Sequence, residues 1–443
     1  MHRSNKYSKS INQQENINFQ YEIKRYIAPS IVKDDTWNGW RNYGRGITLS
    51  YTFDAPLNKR NLNKYNVVDV FPFNGLQRIL TKEIMQSWAD VANIHFIETS
   101  GHDDSNIVFY NFSEDIIPLG FAYYPNSSRC TPIYIKYILS ENNTPTRSNF
   151  GGFVLAHEIG HTLGLKHTHG PTDMPDDQRD TQQVSVMSYC EVWYSGADHG
   201  GNFASTPQLY DIAAAQYLYG PNMNTRTGNS IYGFNANSDR DFLTARTSAD
   251  KLIFCVWDAG GMDTFDFSGY TENQNINLQE LSFSDVGGLT ANVSIAADVV
   301  IENAIGGSGN DRLWGNDTNN ILTGGGGADH LWGIGGYNVF RYNRTLDSTS
   351  TSADTIHDFT PDKDKIDLSP LLFGTRNIAL VDKFSFSGQT EILQKYNAVR
   401  DITYLMIDFD NNVHETDMII KLIGKHQLSL DNFITRPPLT AWQ

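Results

Sequence analysis

Between residues 306 and 341 the chain repeats every nine residues, and that period restricts the available folds more than any other feature of the sequence. The units are Gly306–Trp314, Gly315–Thr323, Gly324–Trp332 and Gly333–Arg341. Their sixth positions read Asp311, Asn320, Asp329 and Asn338, and their eighth positions Leu313, Leu322, Leu331 and Phe340. Helices and lone amphipathic strands repeat at 3.6 and 2 residues. Neither brings glycine, a polar oxygen and a large apolar side chain back into phase every nine residues. A short strand followed by a tight turn does, and it predicts a parallel β-roll with two units per turn. The glycines let the backbone turn with its carbonyls inward, the sixth residue adds a side-chain oxygen, and the eighth fills a thin core. Asp311 and Asp329 then fall on one side, one turn apart. A cage made only of oxygens selects Ca2+ over transition metals.

The texture of the chain changes twice before this block. Residues 1–25 are polar and without periodicity, and read as a loose leader. Residues 26–225 read as mixed α/β: Ile47 to Phe53 and Ile107 to Tyr110 as strands, and Leu76 to Val91 as a helix with an apolar face of Leu76, Ile79, Leu80, Ile84, Trp88 and Val91. Asn149 to Leu163 reads as a second helix. From 226 to 443 the chain is rich in Gly, Asn, Asp and β-formers. The formal net charge of −16 excludes a nucleic-acid partner and suits a protein that holds divalent cations. Three cysteines, Cys130, Cys190 and Cys255, are too few for a disulfide framework, and a Cys130–Cys190 pair stays open. No apolar run is long enough to span a membrane, and the N-terminus has no signal-peptide pattern.

The chemistry lies in His157-Glu158-Ile159-Gly160-His161, followed by Gly164 and His167. Histidines four apart on a helix share a face, so His157 and His161 can direct a nitrogen at one metal ion. His167 is six residues past His161, out of phase with that face. Gly164 predicts a left-handed turn that ends the helix and brings His167 back to the metal. Three neutral imidazoles leave a coordination position for water, the arrangement of a catalytic Zn2+. Glu158 is then the general base for that water. His169 is expected to be a solvated loop residue.

Twenty residues beyond His167 comes Met187, in Ser185-Val186-Met187-Ser188-Tyr189. With it the chain resembles the metzincins, whose zinc motif is followed by a methionine turn. Together with the nine-residue repeat it resembles the serralysin family, over a span from about Thr36 to about Phe433. That resemblance implies an α+β metzincin protease domain followed by an all-β parallel β-roll/β-sandwich domain. It makes Met187 the apolar floor beneath the ligands, and Tyr189 both a further zinc ligand and a donor to the oxyanion. The strand Gly120 to Tyr124 becomes the candidate edge for an extended substrate. A first calcium group would use Arg226, Gly228, Ser230, Asp258, Gly260, Gly261, Asp263 and Glu302. In the roll the ligands would be Gly307, Gly309 and Asp311, then Asn316, Thr318 and Asn320, then Gly325, Gly327 and Asp329, with the asparagine row weaker. Asp347 and Asp354 would hold another ion.

The function implied is that of a secreted, broad-specificity zinc endopeptidase, a monomer made as a zymogen and associated with virulence. Its partners would be protein and peptide substrates, the type I secretion apparatus of a Gram-negative bacterium and a small periplasmic inhibitor. Export information is expected in the C-terminal part. The alternative from another class is a calcium-dependent extracellular binding protein with an inactive protease-like domain.

Overall fold

The computed structural model describes residues 21–34, 36–39, 42–54, 67, 69–100, 105–113, 118–125, 130–169, 180–372, 378–385, 388–409 and 416–436. Most of the expected leader and the last residues of the tail lie outside these. Tyr21 to Ser30 are helical, however, and Ile23 is fully buried, so a leader boundary after residue 25 falls inside a packed helix.

The catalytic half is built on a sheet ordered Ile94–Glu98, Ile47–Thr52, Ile107–Phe112, Thr131–Lys136, Gly120–Ala122, with Val70–Phe71 pairing with Ile107–Phe112. The four long strands run parallel, and Gly120–Ala122 is antiparallel at the edge. The helix Gly75–Val91 packs on this sheet and starts in a capping box between Asn74 and Gln77. Leu80, Ile84, Trp88 and Val91 are buried as expected, but Leu76 and Ile79 are 56% and 59% exposed. Gln77 takes the inward position of the first turn, its amide donating to Asn111 Oδ1 (2.8 Å) and Asn142 O (3.0 Å). The buried stripe therefore runs through Gln77, Leu80, Ile84 and Trp88, and Leu76 and Ile79 fall on its flanks.

The C-terminal half is a roll between two largely parallel sheets. One runs Asn275–Asn277, Arg312–Trp314, His330–Trp332, Asp354–Ile356, Met418–Ile423, Ile402–Asp408, Thr390–Asn397, Ile378–Val381. The other runs Ile231–Gly233, Thr264–Asp266, Asn303–Ile305, Ile321–Thr323, Val339–Arg341, Lys365–Asp367, Phe433–Ile434. Strands two units apart are in register, with Leu313 opposite Leu331 and Leu322 opposite Phe340, as two units per turn requires. Ala304, Leu313, Leu322, Leu331, Phe340, Ile356 and Ile366 form the thin core between the sheets. Turn lies directly on turn: a Cβ on Gly325, at φ +96°, would be 2.1 Å from Gly307 O.

The halves share one continuous hydrophobic core. They are also latched by Asp90 at the end of the first long helix. It accepts two hydrogen bonds from Arg240, each 2.8 Å, and one from Arg226 at 3.1 Å. These charges hold the buried Asp90 carboxyl below its ordinary value against the opposing effect of desolvation. All three cysteines are free thiols.

Candidate active site

The active-site helix spans Phe150–Thr162 and ends as the sequence predicts, with Gly164 at φ +98°. Its last carbonyls are capped from afar: Trp37 Nε1 donates to Thr162 O (2.7 Å) and Tyr219 Oη to Leu163 O (2.6 Å). The chain beyond is clipped by the N-terminal segment, where Lys33 N donates to Gly164 O (2.9 Å) and Lys166 N to Ile31 O (2.7 Å). These bonds fix the approach of His167.

His167 Nε2 lies 3.2 Å from His157 Nε2 and 3.0 Å from His161 Nε2. His157 Nδ1 donates to Val186 O (2.7 Å) and His161 Nδ1 to Leu165 O (2.8 Å). Those bonds fix the tautomers, so both Nε2 atoms turn unprotonated lone pairs toward one point. Burial, followed by the neighbouring imidazoles, pushes His157 down to about 3 and His161 well below its ordinary value. Lone pairs this close repel unless a cation joins them. Tetrahedral zinc with Zn–N near 2.0–2.1 Å separates its ligand atoms by about 3.3 Å, so the three histidines fit a zinc ion. They are the one group of this kind among the described residues.

Glu158 is buried next to them. Burial pushes its carboxyl up to about 8, and Oε2 has no hydrogen-bond partner among the described residues. Gly120 on the edge strand lies against it, and a Cβ there would be 3.1 Å from Glu158 Oε1. Met187 is fully buried beneath the helix, and a Cβ on Gly160 would come 2.5 Å from its Sδ. The methionine turn is held by Asp211, fully buried on the helix Leu209–Tyr219. Asp211 accepts from Ser185 Oγ (2.5 Å), Val186 N (2.7 Å) and Gln208 N (2.9 Å). Since Val186 O in turn receives His157, Asp211 positions a ligand without touching it.

Tyr189 is 47% exposed, its ring stacked on His157 at 5.4 Å and tilted against His167 at 4.4 Å. His169 corrects the sequence reading. It is buried, stacks on the His167 ring at 4.9 Å, and accepts from Tyr189 N (3.3 Å). A solvated imidazole could not set the spacing of His167 and Tyr189; this one packs against both.

Residues 152–232 match the family model of the Met-zincins, and residues 221–435 that of the Peptidase M10 serralysin C terminal. The chain is 39% identical over 438 residues to Serralysin of Proteus mirabilis, covering 88% of each chain. It is 42% identical over 420 residues to Metalloprotease AprA of Pseudomonas entomophila, covering 87% of this chain and 85% of that protein. With Serralysin A of Dickeya chrysanthemi it shares 42% identity over 421 residues, covering 90% of this chain and 88% of that one. This chain belongs to the serralysin family. It is a zinc metalloendopeptidase, and the metzincin family implies one catalytic zinc. The alternative of an inactive protease-like domain is not favoured.

In the C-terminal half of this serralysin, two clusters of buried acids stand out. Asp311 N donates to Asp329 Oδ1 (2.7 Å) and Asp329 N to Asp354 Oδ1 (2.9 Å), so Asp354 continues the aspartate row. The other oxygens of Asp329 and Asp354 have no partner among the described residues. Burial, then neighbouring carboxylates, pushes Asp329 up to about 8 and Asp354 well above its ordinary value, while burial takes Asp311 to about 6. Asp347, buried nearby, accepts from Asn343 N and Arg344 N at 2.9 Å each. The second cluster joins Asp258, Asp263 and Glu302. Asp263 Oδ1 accepts from Ser230 N (2.7 Å), Glu302 Oε2 from Asp263 N (2.7 Å) and Asp258 Oδ1 from Gly260 N (2.8 Å). A Cβ on Gly261 would be 2.5 Å from Gly228 O, so that turn belongs to the same cluster. The Arg226 side chain instead turns to Asp90 and to Trp257 O (2.9 Å). The asparagine row differs from both. Asn316 Oδ1 accepts from Thr318 N (3.0 Å) and Asn320 Nδ2 (3.0 Å), and Asn320 Oδ1 from Asn316 N (2.9 Å).

Sequence reasoning missed Gly160, Asp211, Trp37 and Tyr219. Of these only Gly160 left a signal, a glycine inside a strongly apolar helix.

Proposed function

We propose that this serralysin is a broad-specificity endopeptidase acting outside the cell, with Glu158 as its general base and Tyr189 as its oxyanion donor. The observation that carries the reading is Glu158 Oε2, buried and without a hydrogen-bond partner among the described residues, one residue along from the first of three converging histidines. Zinc held by His157, His161 and His167 supplies Lewis acidity to the scissile carbonyl and to the attacking water. Glu158 takes the water proton and returns it to the leaving amine. Tyr189, on the open side of the cluster, donates to oxygen as negative charge develops there. Among the described residues the edge strand Gly120–Ala122 pairs with a strand on one side alone, and it suits antiparallel pairing with an extended peptide.

Calcium is assigned on the same footing. Asp347 pairs with Arg344 at 2.9 Å, but among the described residues no cation pairs with the buried carboxylates of Asp311, Asp329 and Asp354, with those of Asp258 and Asp263, or with Glu302. Oxygen-rich, charge-dense sites of this kind suit calcium. The Asn316–Thr318–Asn320 turn satisfies its own amides and offers a weaker site. Type I export from a Gram-negative cell and control by a small periplasmic inhibitor belong to the same family reading.

The test is casein clearing with metal analysis. Glu158→Ala should abolish clearing with zinc retained, whereas His161→Ala should lose both. Near-normal turnover by Glu158→Ala would overturn the assigned base.

A further inference from the structure

The outer face of the eight-stranded sheet carries two parallel rows of side chains that neither the zinc chemistry nor the acidic clusters use. One row is aromatic. Trp314 and Trp332 stack at 4.9 Å with 10° between their planes, and Trp332 and His357 at 4.0 Å with 11°. The other is polar and cationic. Strand register sets Arg312 beside His330, then Thr355, Lys421, Tyr404 and Lys395. Both rows run across the strands, so their elements recur at the strand spacing of about 4.8 Å.

The cations on this face are not held in ion pairs. Among the described residues Arg312, Lys421 and Lys395 form no ion pair, although the protein as a whole carries −16. Lys421 Nζ donates to a backbone carbonyl, Ala353 O, at 2.9 Å. Asp358, beside His357, already accepts Gly333 N and Ile334 N at 2.8 Å each. Burial, followed by the charges of Arg312 and Lys421, lowers the His330 pKa, so the locale is positive.

Two occupants compete with a polyanion and are disfavoured on this face. His330 Nδ1 and His357 Nε2 lie 2.8 Å apart and could chelate a transition metal, but the flanking Arg312 and Lys421 repel a dication. A nucleic acid needs free aromatic faces for its bases. Here the indole faces are spent on one another, and the edges, the positive rim of the ring quadrupole, are left to meet a ligand. That combination of a positive apolar rail and regularly spaced cations fits a linear chain of sugars bearing carboxylates.

We propose that this face binds an acidic polysaccharide laid across the strands, tethering the protease to anionic glycans. The probe is hyaluronan oligosaccharide, titrated into the full-length protein in calcium buffer, with neutral dextran and single-stranded DNA of matched charge as comparators. Hyaluronan should bind at low ionic strength and weaken toward physiological salt, and dextran should not bind. Arg312→Glu with Lys395→Glu, both at exposed positions, should lower hyaluronan affinity about tenfold or more, with melting temperature and casein hydrolysis unchanged. Trp332→Ser should weaken it as well, and its folding is checked by the same melt. Equal binding of dextran, tighter binding of DNA, or full hyaluronan affinity in the charge-reversed protein would each overturn the proposal.

Discussion

Gly160→Ala tests how the zinc helix rests on its floor. The added Cβ would lie 2.5 Å from Met187 Sδ, 3.3 Å from Trp88 Cζ2 and 3.4 Å from Met187 Cε. Met187 and Trp88 are both fully buried, so neither can swing into solvent. Overpacking of this sort costs about 1–3 kcal/mol. Alanine gains back up to about 1 kcal/mol of helix propensity over glycine. The net expectation is a loss of about 1–2 kcal/mol, together with a fall in kcat as Met187 moves and carries Val186 O away from His157. The sign should reverse in a Met187→Ala background, where the clash is gone and only propensity and the Trp88 contact remain. There Gly160→Ala should stabilise by up to about 1 kcal/mol, giving a coupling of about 2–3 kcal/mol across the cycle. Thermal unfolding of all four proteins in zinc and calcium reads this out, at roughly 2–4 °C per kcal/mol for a domain of this size. If Gly160→Ala stabilises equally in both backgrounds, the packing argument is refuted.

Three further outcomes follow from the geometry. Tyr189→Phe should lower kcat on the order of 10²-fold with little change in KM, as expected of one lost oxyanion donor; an effect on KM alone would make Tyr189 a wall of the cleft. Asp211→Ala leaves Val186 N, Gln208 N and Ser185 Oγ without their acceptor, and should cost about 3 kcal/mol or more and loosen zinc, measured by melting and by competition with a chelator. A variant with native zinc affinity would separate Asp211 from the metal site. Asp329→Asn should act with opposite signs in two buffers: in excess chelator it relieves carboxylate repulsion and raises the melting temperature of the roll, and in calcium it removes a ligand and lowers it. The same sign in both would contradict a cation at that row.

The roll was legible because nine residues carry both its turn chemistry and its core position. Its full extent was not. Ile356 and Ile366 sit in the same ladders as the repeat, but their turns have lost the glycines that mark phase, and only hydrogen-bond register reveals them. The three histidines were legible because helix spacing and one turn glycine constrain them locally. Asp211 and Tyr219 act through the end of a distant helix, and no local spacing announces such a contact. The helix face was misjudged at Leu76 and Ile79 for a related reason. Periodicity counts apolar residues, whereas here a glutamine satisfied by two buried partners took the inward position.

The stacking of turn on turn also bears on how long such an enzyme survives among its own copies. Each inner strand of the roll is bonded only to the turn before and the turn after, so opening must begin at an end of the stack or wait for a cooperative rupture. At the C-terminal end the antiparallel strands Thr390–Asn397, Ile402–Asp408 and Met418–Ile423 are stitched to the last parallel turn through Asp354–Ile356. A loosened terminal turn is an extended peptide, and every neighbouring molecule is a peptidase. Self-digestion in a concentrated solution should therefore follow the opening frequency of that last turn, with calcium setting the rate, while the global melting temperature is a poor guide to shelf life.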